Sequence, residues 1–112
     1  TVVREFNENS IPAYLDYVLY VNTEMKKLVN TIQQNTGGKA VIIVLADHGL
    51  KWKSGIPRIF QNMNAVYFPN GNYNQLYDSM TTVNLFPVIF NTLFRQSYPV
   101  LKDTSFMLLD KK

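Results

Sequence analysis

The sequence predicts an α/β fold, in which a helix–strand–loop–strand–helix segment of a mostly parallel sheet forms part of a three-layer sandwich. Two observations predict it. Apolar residues recur every three or four positions along residues 11–32, which is typical of an amphipathic helix. The uninterrupted apolar run AVIIVLA at residues 40–46 then follows, which is typical of a strand covered on both faces. A helix leading into a buried strand is half of a βαβ unit, so we expect a parallel sheet with helices on its faces.

The first helix is expected to begin after Ser10 and to end in the glycine-rich stretch at residues 35–38. Ser10 is a favourable N-cap, and Pro12 lies in the first turn, where its missing N–H costs nothing. Gly-rich sequence is a common stop signal. The apolar stripe of this helix comprises Ile11, Tyr14, Leu15, Val18, Leu19, Met25, Leu28, Val29 and Ile32. Residues 1–9 are expected to form an extended lead-in, and residues 10–110 the α/β segment.

A loop and a second strand are expected after the buried strand. Residues 50–60 contain Gly, Pro, Ser and Lys and are expected to form the loop. Residues 62–68 are expected to form the strand, which the turn sequence Pro-Asn-Gly closes. Asn62 and Asn64 are expected to bind backbone groups at the strand edge. A short edge strand at residues 105–109 would complete the segment.

The second helix is expected to begin at Thr81 or Thr82. If Asn84 is the N-cap instead, Pro87 falls in the first turn; otherwise Pro87 kinks the helix. The Tyr98-Pro99 pair is expected to end it. The expected buried side comprises Val83, Phe86, Ile89, Phe90, Leu93 and Phe94.

Composition limits the function classes. The chain has 112 residues, 46% of them hydrophobic, which fits one small globular domain rather than a disordered tail. Its net charge of +3 carries no large basic cluster, so nucleic-acid binding is not expected. It contains no cysteine, which excludes disulfides and thiolate metal sites. No apolar run approaches the roughly 20 residues that span a bilayer.

Because the chain starts with Thr1, we expect a piece of a larger protein, although removal of an initiator Met from a small protein would look the same.

Asp47, His48 and Gly49 follow the buried strand directly. Ligands of open α/β sheets bind at the carboxyl ends of strands, so this position favours a site. Asp offers an anionic oxygen and His a neutral nitrogen, which together suit a divalent metal ion, and glycine allows a sharp turn. A structural or surface histidine is the alternative that the dipeptide alone leaves open.

Four stretches, VIIVLADHGL, NMNAVYFP, LYDSMTTVNLFPVIFNTLF and YPVLKD, resemble the C-terminal region of bacterial sulfatase-like proteins of the alkaline-phosphatase/sulfatase superfamily. The resemblance runs from about Tyr14 to Asp103. It implies a hydrolase or transferase acting on phosphate or sulfate esters, with esters on a glycan or a lipid headgroup among the candidate substrates. It also implies that Asp47 and His48 bind the catalytic metal, which would be Mn, Zn or Ca. In such relatives the domain often lies outside the cytoplasmic membrane, tethered by upstream helices.

Two departures qualify the resemblance. Calcium-type sulfatases usually have Asp-Asn where this chain has Asp47-His48, which favours the phosphoryl-transferring relatives. The family's nucleophile and other acidic ligands lie upstream, so no catalytic residue is assigned here and the piece alone is expected to be inactive. The missing N-terminal part of the same polypeptide is the expected partner.

The loop after the motif offers weak substrate-binding candidates. Lys51 and Lys53 would neutralise a phosphate and Trp52 would stack on a sugar, although a solvated loop explains the same residues.

The competing function is a non-catalytic α/β module that binds a partner and has a structural His48. An upstream nucleophile and a distant acidic ligand in the gene would distinguish the enzyme from the module.

Overall fold

The computed structural model describes residues 11–49 and 60–106. In these ranges the chain forms, in order, α1 (Ile11–Thr36), β1 (Ile42–Leu45), β2 (Asn64–Tyr67) and α2 (Thr82–Phe94). The predicted order of helices and strands is therefore confirmed. The expected N-cap at Ser10, most of the expected loop and most of the expected edge strand lie outside the described residues. The chain divides into two compact units, residues 1–69 and 70–112.

In the first unit, α1 ends where the sequence predicts. The N–H of Gly38 donates to the carbonyl of Gln33, at 2.8 Å, and both Gly37 and Gly38 have positive φ angles of 58° and 72°. The Tyr67 hydroxyl of β2 donates to the Gly38 carbonyl at 3.1 Å. A Cβ at Gly38 would lie 3.3 Å from that hydroxyl oxygen, so both the backbone conformation and the close approach favour glycine.

The apolar stripe of α1 is only partly covered. No residue of α1 is buried. The half-buried apolar residues are Val18, Met25, Val29 and Ile32, which recur at helical spacing and define one face. Leu19, in the same predicted stripe, is 64% exposed. The periodicity thus predicted the helix correctly, and its face is covered more in the C-terminal half than in the N-terminal half.

The two strands pair antiparallel, with Ile42 opposite Tyr67 and Leu45 opposite Asn64. The described residues therefore show a mixture of helix and sheet, but they do not confirm the parallel sheet or the three-layer sandwich that we expected. Of the β1 residues, Ile42 is buried, whereas Leu45 is 37% exposed. An apolar run indicates burial of side chains, but it carries no information about the direction of the partner strand, which depends on the connection.

In the second unit, α2 begins after the N-cap Thr81 and ends before Arg95, which adopts the left-handed conformation. Asn84 is not the N-cap, and Pro87 lies inside the helix. The helix ends four residues before Tyr98-Pro99.

The expected buried side of α2 was largely wrong. Ile89 is buried as expected, but the exposed residues include Val83, Phe86, Phe90 and Phe94. The buried face instead comprises Asn84, Leu85, Val88 and Ile89. Apolar residues occupy most of the helix surface, so periodicity alone could not select the side, and Asn84 was considered only as a possible N-cap. On the exposed side, the Phe90 ring lies 5.9–6.4 Å, centroid to centroid, from the rings of Phe86, Phe94 and Tyr98.

Two asparagines of α2 hold the segment that follows the helix. The Asn84 amide donates to the Leu101 carbonyl at 2.8 Å, and its oxygen accepts from the Leu101 N–H at 2.8 Å. Asn91, two turns later on the same face, makes the same pair of bonds with Tyr98, at 2.9 and 2.7 Å. Each side chain thus satisfies a backbone donor and a backbone acceptor, which extended chain outside a sheet would otherwise lack.

Asp103 binds the N-terminus of α2. Its carboxylate accepts from the N–H and hydroxyl of Thr81 at 2.7 and 2.6 Å, from the Tyr77 hydroxyl at 2.6 Å and from the Asn84 amide at 2.9 Å. The bonds from Thr81 and Tyr77 hold the pKa of Asp103 well below its usual range. The bond to Asp103 in turn raises the pKa of the Tyr77 hydroxyl. A negative charge at a helix N-terminus is also favourable to the helix dipole.

Replacing Asn84 by Ala should destabilise the second unit strongly. Asn84 is fully buried, so the substitution leaves the N–H and carbonyl of Leu101 without their partner. We expect a loss of about 2–4 kcal/mol in the free energy of unfolding, for two buried hydrogen bonds with desolvated groups. Asn91→Ala is the control: it removes the corresponding pair of backbone bonds at a more exposed site, and no bond to Asp103, and should cost about 1 kcal/mol. Urea unfolding followed by circular dichroism measures both. Equal losses would contradict the greater cost that burial and the Asp103 bond give to Asn84→Ala.

We expect the free energy of unfolding of the second unit to fall in acid, because the Asp103 carboxylate becomes protonated. Its folded pKa is lowered, so its stabilisation is complete above the ordinary carboxyl pKa of about 4 and is lost as the pH falls below that value. Tyr77 has a raised pKa, so its contribution is present below about pH 10 and is lost at higher pH. Urea midpoints measured between pH 2 and pH 7 should show a smaller acid decline in Asp103→Asn than in the wild type. The control Asp78→Asn, at an exposed neighbour of Tyr77, should keep the wild-type decline; an unchanged decline in Asp103→Asn would refute the assignment.

Candidate metal centre

The backbone of Ala46, directly after β1, is held from both sides. Its N–H donates to the carbonyl of Met63 at 2.9 Å, and its carbonyl accepts from the side-chain amide of Asn62 at 2.8 Å. Both partners lie in the segment that leads into β2. The expectation that Asn62 binds backbone at a strand edge is therefore confirmed. The next residue, Asp47, begins a turn from a fixed point at the end of the strand.

Asp47 lies at the surface, with 90% of its side chain exposed. Its Oδ1 atom accepts a hydrogen bond from the N–H of His48 at 2.9 Å, which holds the carboxylate over the start of the turn. A carboxylate oxygen with one hydrogen bond retains a further lone pair, and the second oxygen of the group adds more acceptor capacity. The Asp47 carboxylate can therefore bind a cation without losing this contact.

The ring of His48 is oriented by the next residue in the chain. Its Nδ1 atom lies 2.7 Å from the carbonyl oxygen of Gly49. A carbonyl can only accept, so Nδ1 carries the hydrogen in this contact and Nε2 keeps its lone pair in the neutral ring. Metal-binding histidines commonly have this arrangement, in which a backbone carbonyl fixes the tautomer and the ring orientation.

The Nε2 atom of His48 lies 3.8 Å from Oδ1 of Asp47. Two ligand atoms bound to one ion at about 2.1 Å, with tetrahedral angles, are separated by about 3.4 Å. A few tenths of an ångström of side-chain movement, easily reached at this exposed position, would close that difference. The pair therefore fits two adjacent positions in the coordination shell of a divalent ion.

The chemistry of the two donors limits the choice of ion. An imidazole nitrogen with a carboxylate oxygen suits Zn²⁺ and Mn²⁺. Calcium takes oxygen ligands, so the His48 nitrogen fits it less well. In residues 11–49 and 60–106 there is no group of three or more His, Cys, Asp or Glu side chains that could hold a metal. In the described part of the chain, Asp47 and His48 are therefore two neighbouring donor side chains, fewer than such a group.

The remaining candidates from the sequence, Lys51, Trp52 and Lys53, lie outside the described residues, so their proposed contacts with substrate stay predictions. The Nε2 atom of His48 and the Oδ1 atom of Asp47 are 3.8 Å apart, and their role as metal ligands stays a prediction. The contact of the His48 ring with the Gly49 carbonyl was not predicted, because a backbone carbonyl carries no signal in the residue sequence.

Comparison with known proteins decides the family. The family model described as Sulfatase matches residues 2–105. The chain belongs to the sulfatase family. The match spans most of the chain and both compact units, and it includes the Asp47–His48 turn. Neither the curated proteins nor the solved structures contain a match to the chain.

Membership of the sulfatase family agrees with the chemistry of the turn. The family comprises hydrolases that are generally metal-dependent, and its substrates are esters. The helices of the described ranges include none that is long and apolar enough to cross a bilayer.

The tautomer of His48 is directly measurable because His48 is the one histidine of the chain. In the neutral ring we expect a protonated Nδ1 and an unprotonated Nε2, since the Gly49 carbonyl accepts from Nδ1. Long-range ¹H–¹⁵N correlation spectra of the ring distinguish the two tautomers. The common alternative, with the hydrogen on Nε2, would contradict the ring orientation described here.

Proposed function

We propose that this chain contributes two metal ligands, Asp47 and His48, to a sulfatase-family hydrolase or transferase that acts on phosphate or sulfate esters. The observation that carries the proposal is the bond from Nδ1 of His48 to the Gly49 carbonyl. It leaves the Nε2 lone pair beside the Asp47 carboxylate, at 3.8 Å. The family match and the position at the end of β1 support the same assignment.

The two side chains have different roles in binding the ion. Asp47 supplies negative charge, which partly neutralises the cation, and His48 supplies a directional neutral donor held by Gly49. A divalent ion bound here would supply Lewis acidity, which lowers the pKa of a coordinated nucleophile and offsets charge on the transferred group. In hydrolysis, the bond from phosphorus or sulfur to the ester oxygen breaks, a bond to a water oxygen forms, and the leaving alcohol takes up a proton.

The rest of the centre is proposed to come from the N-terminal part of the same polypeptide. Catalytic zinc-type sites usually have about three protein ligands, which is more than this turn provides. Apolar surface supports the proposal: α1 has no buried residue, and on α2 both Val83 and Phe94 are more than half exposed. Exposed apolar side chains along a helix are typical of a face that another part of a protein covers.

The substrate class follows from the ligand pair. The histidine at position 48, where calcium-type sulfatases have asparagine, favours Mn²⁺ or Zn²⁺ and phosphoryl transfer over strict sulfate-ester hydrolysis. Lys51, Trp52 and Lys53 are proposed to line the substrate cleft, which suits a phosphate on a glycan or a lipid headgroup. A location outside the cytoplasmic membrane, tethered by upstream helices, is part of the same proposal.

A non-catalytic module that binds a protein partner is the second candidate. One observation favours it: the Asp47–His48–Gly49 turn forms hydrogen bonds within itself, so His48 has a structural use even without a metal. The contact between His48 Nε2 and Asp47 also suits a structural ion pair, so the upstream sequence distinguishes the candidates: a nucleophile and a distant acidic ligand there support the enzyme.

The 112-residue chain by itself should not hydrolyse esters. We expect no turnover of bis-p-nitrophenyl phosphate, p-nitrophenyl phosphate or p-nitrophenyl sulfate with Mn²⁺ or Zn²⁺ present, since two ligands do not complete the centre. In a protein that also contains the N-terminal part, His48→Ala and Asp47→Ala should each lower kcat/KM by at least about 100-fold. The control Asp16→Ala, an exposed acid of α1, should leave it unchanged. Activity of the 112-residue chain that His48→Ala abolishes would disprove the need for further ligands, and an active His48→Ala in the longer protein would disprove the ligand role.

A further inference from the structure

We propose that Asn62 is a positioning residue for the Asp47–His48 ligand pair, an inference that rests on the proposed function. Asn62 does not contact either ligand. It acts through the carbonyl of Ala46, which accepts from its side-chain amide at 2.8 Å across 16 residues of sequence. The contact is partly buried, so water competes with it less than with the exposed bonds of the turn itself.

The bond replaces regular strand pairing at the point where β1 must stop. The last paired residues are Leu45 and Asn64, and one step further the Ala46 N–H donates to the Met63 carbonyl. At the same residue, the Ala46 carbonyl accepts from a side chain, the amide of Asn62. A side-chain donor satisfies the carbonyl without requiring the backbone to continue as a strand, so the chain is free to turn at Asp47.

The carbonyl of Ala46 controls the direction of Asp47 through covalent geometry. The Ala46 carbonyl oxygen, the N–H of Asp47 and the Cα of Asp47 lie in one rigid peptide plane. The Asn62 bond to the oxygen holds this plane, and the Met63 bond to the Ala46 N–H holds the preceding peptide plane, so both planes that flank the Ala46 Cα are held. The contacts within the turn, from His48 N–H to Asp47 and from the His48 ring to Gly49, orient the ligands relative to one another. Asn62 therefore orients the pair as a unit relative to the sheet.

The side-chain chemistry required at position 62 is specific. A donor is needed, because the partner is a carbonyl, and asparagine supplies one at the right length. Aspartate has nearly the same shape but no donor when ionised, so it would repel the Ala46 oxygen. Asn64, two residues further along and exposed on β2 opposite Leu45, offers the same residue type in the same strand segment without this contact.

The test uses the full chain with the variants Asn62→Ala and Asn62→Asp and the matched control Asn64→Ala. Mn²⁺ is titrated while calorimetry and paramagnetic broadening of the His48 ring signals are recorded. We expect the apparent Kd for Mn²⁺ to rise about 10-fold in both Asn62 variants, which is the lower end of the effect of losing an outer-shell partner. The control should remain within about twofold of the wild type, since its side chain does not touch Ala46.

A second readout needs no metal. Amide exchange of Asp47 and the ¹⁵N shifts of the His48 ring should change in both Asn62 variants, whereas the hydroxyl bond from Tyr67 to Gly38 should keep the rest of the sheet intact. Wild-type values in the Asn62 variants would overturn the proposal. So would general loss of the sheet in both variants, because Asn62 would then be a residue of overall stability. Failure of the proposed function shows separately, as an active His48→Ala in a protein that also contains the N-terminal part, while the metal-free readout decides whether Asn62 holds the turn.

Discussion

Among the described residues, the side chains of Asn62, Asn84 and Asn91 bind backbone groups of distant segments where regular hydrogen bonding stops, and the candidate site depends on Asn62. Asn62 binds the carbonyl of Ala46 at the end of β1, and Asn84 and Asn91 bind Leu101 and Tyr98 after α2. Backbone N–H and carbonyl groups that leave helix or sheet need other partners unless they meet water. An amide carries both a donor and an acceptor, so it can replace a neighbouring strand. These three asparagine side chains thereby hold irregular segments of the backbone in defined positions.

The two compact units differ in how the carboxylate that each of them holds is hydrogen-bonded. In the second unit, Asp103 adds a charge at the N-terminus of α2, and Thr81, Tyr77 and Asn84 all bind it. Such a network is rigid, because each donor satisfies a carboxylate that would be costly to leave without partners. In the first unit, the Asp47 carboxylate accepts one hydrogen bond from the described residues, from the N–H of His48, and its side chain is 90% exposed. The first arrangement is typical of a structural carboxylate, and the second leaves a carboxylate available for a ligand.

Local signals in the sequence predicted the elements well, and long-range packing limited the rest. The glycines at positions 37 and 38 predicted the end of α1, and the position of Asp47 and His48 after β1 followed from the apolar run before them. The direction of strand pairing was not predictable, since an apolar run is compatible with either direction. The buried face of α2 was missed because the energetic benefit of burying Asn84 comes from Leu101 and Asp103, far along the chain. A polar residue becomes favourable in a core when its partners are supplied, and periodicity does not report partners.

The proposed ligands Asp47 and His48 are adjacent in sequence, so their relative geometry is set locally by Gly49 and by the His48 N–H, with little dependence on the rest of the fold. Their placement relative to the sheet depends on the backbone of Ala46, which Met63 and Asn62 hold from the segment that leads into β2. Ligands contributed from elsewhere in the polypeptide would therefore meet a preformed pair whose internal geometry needs little adjustment. Preformed geometry reduces the ordering that metal binding must impose, which favours assembly of a complete centre once the remaining ligands are in place.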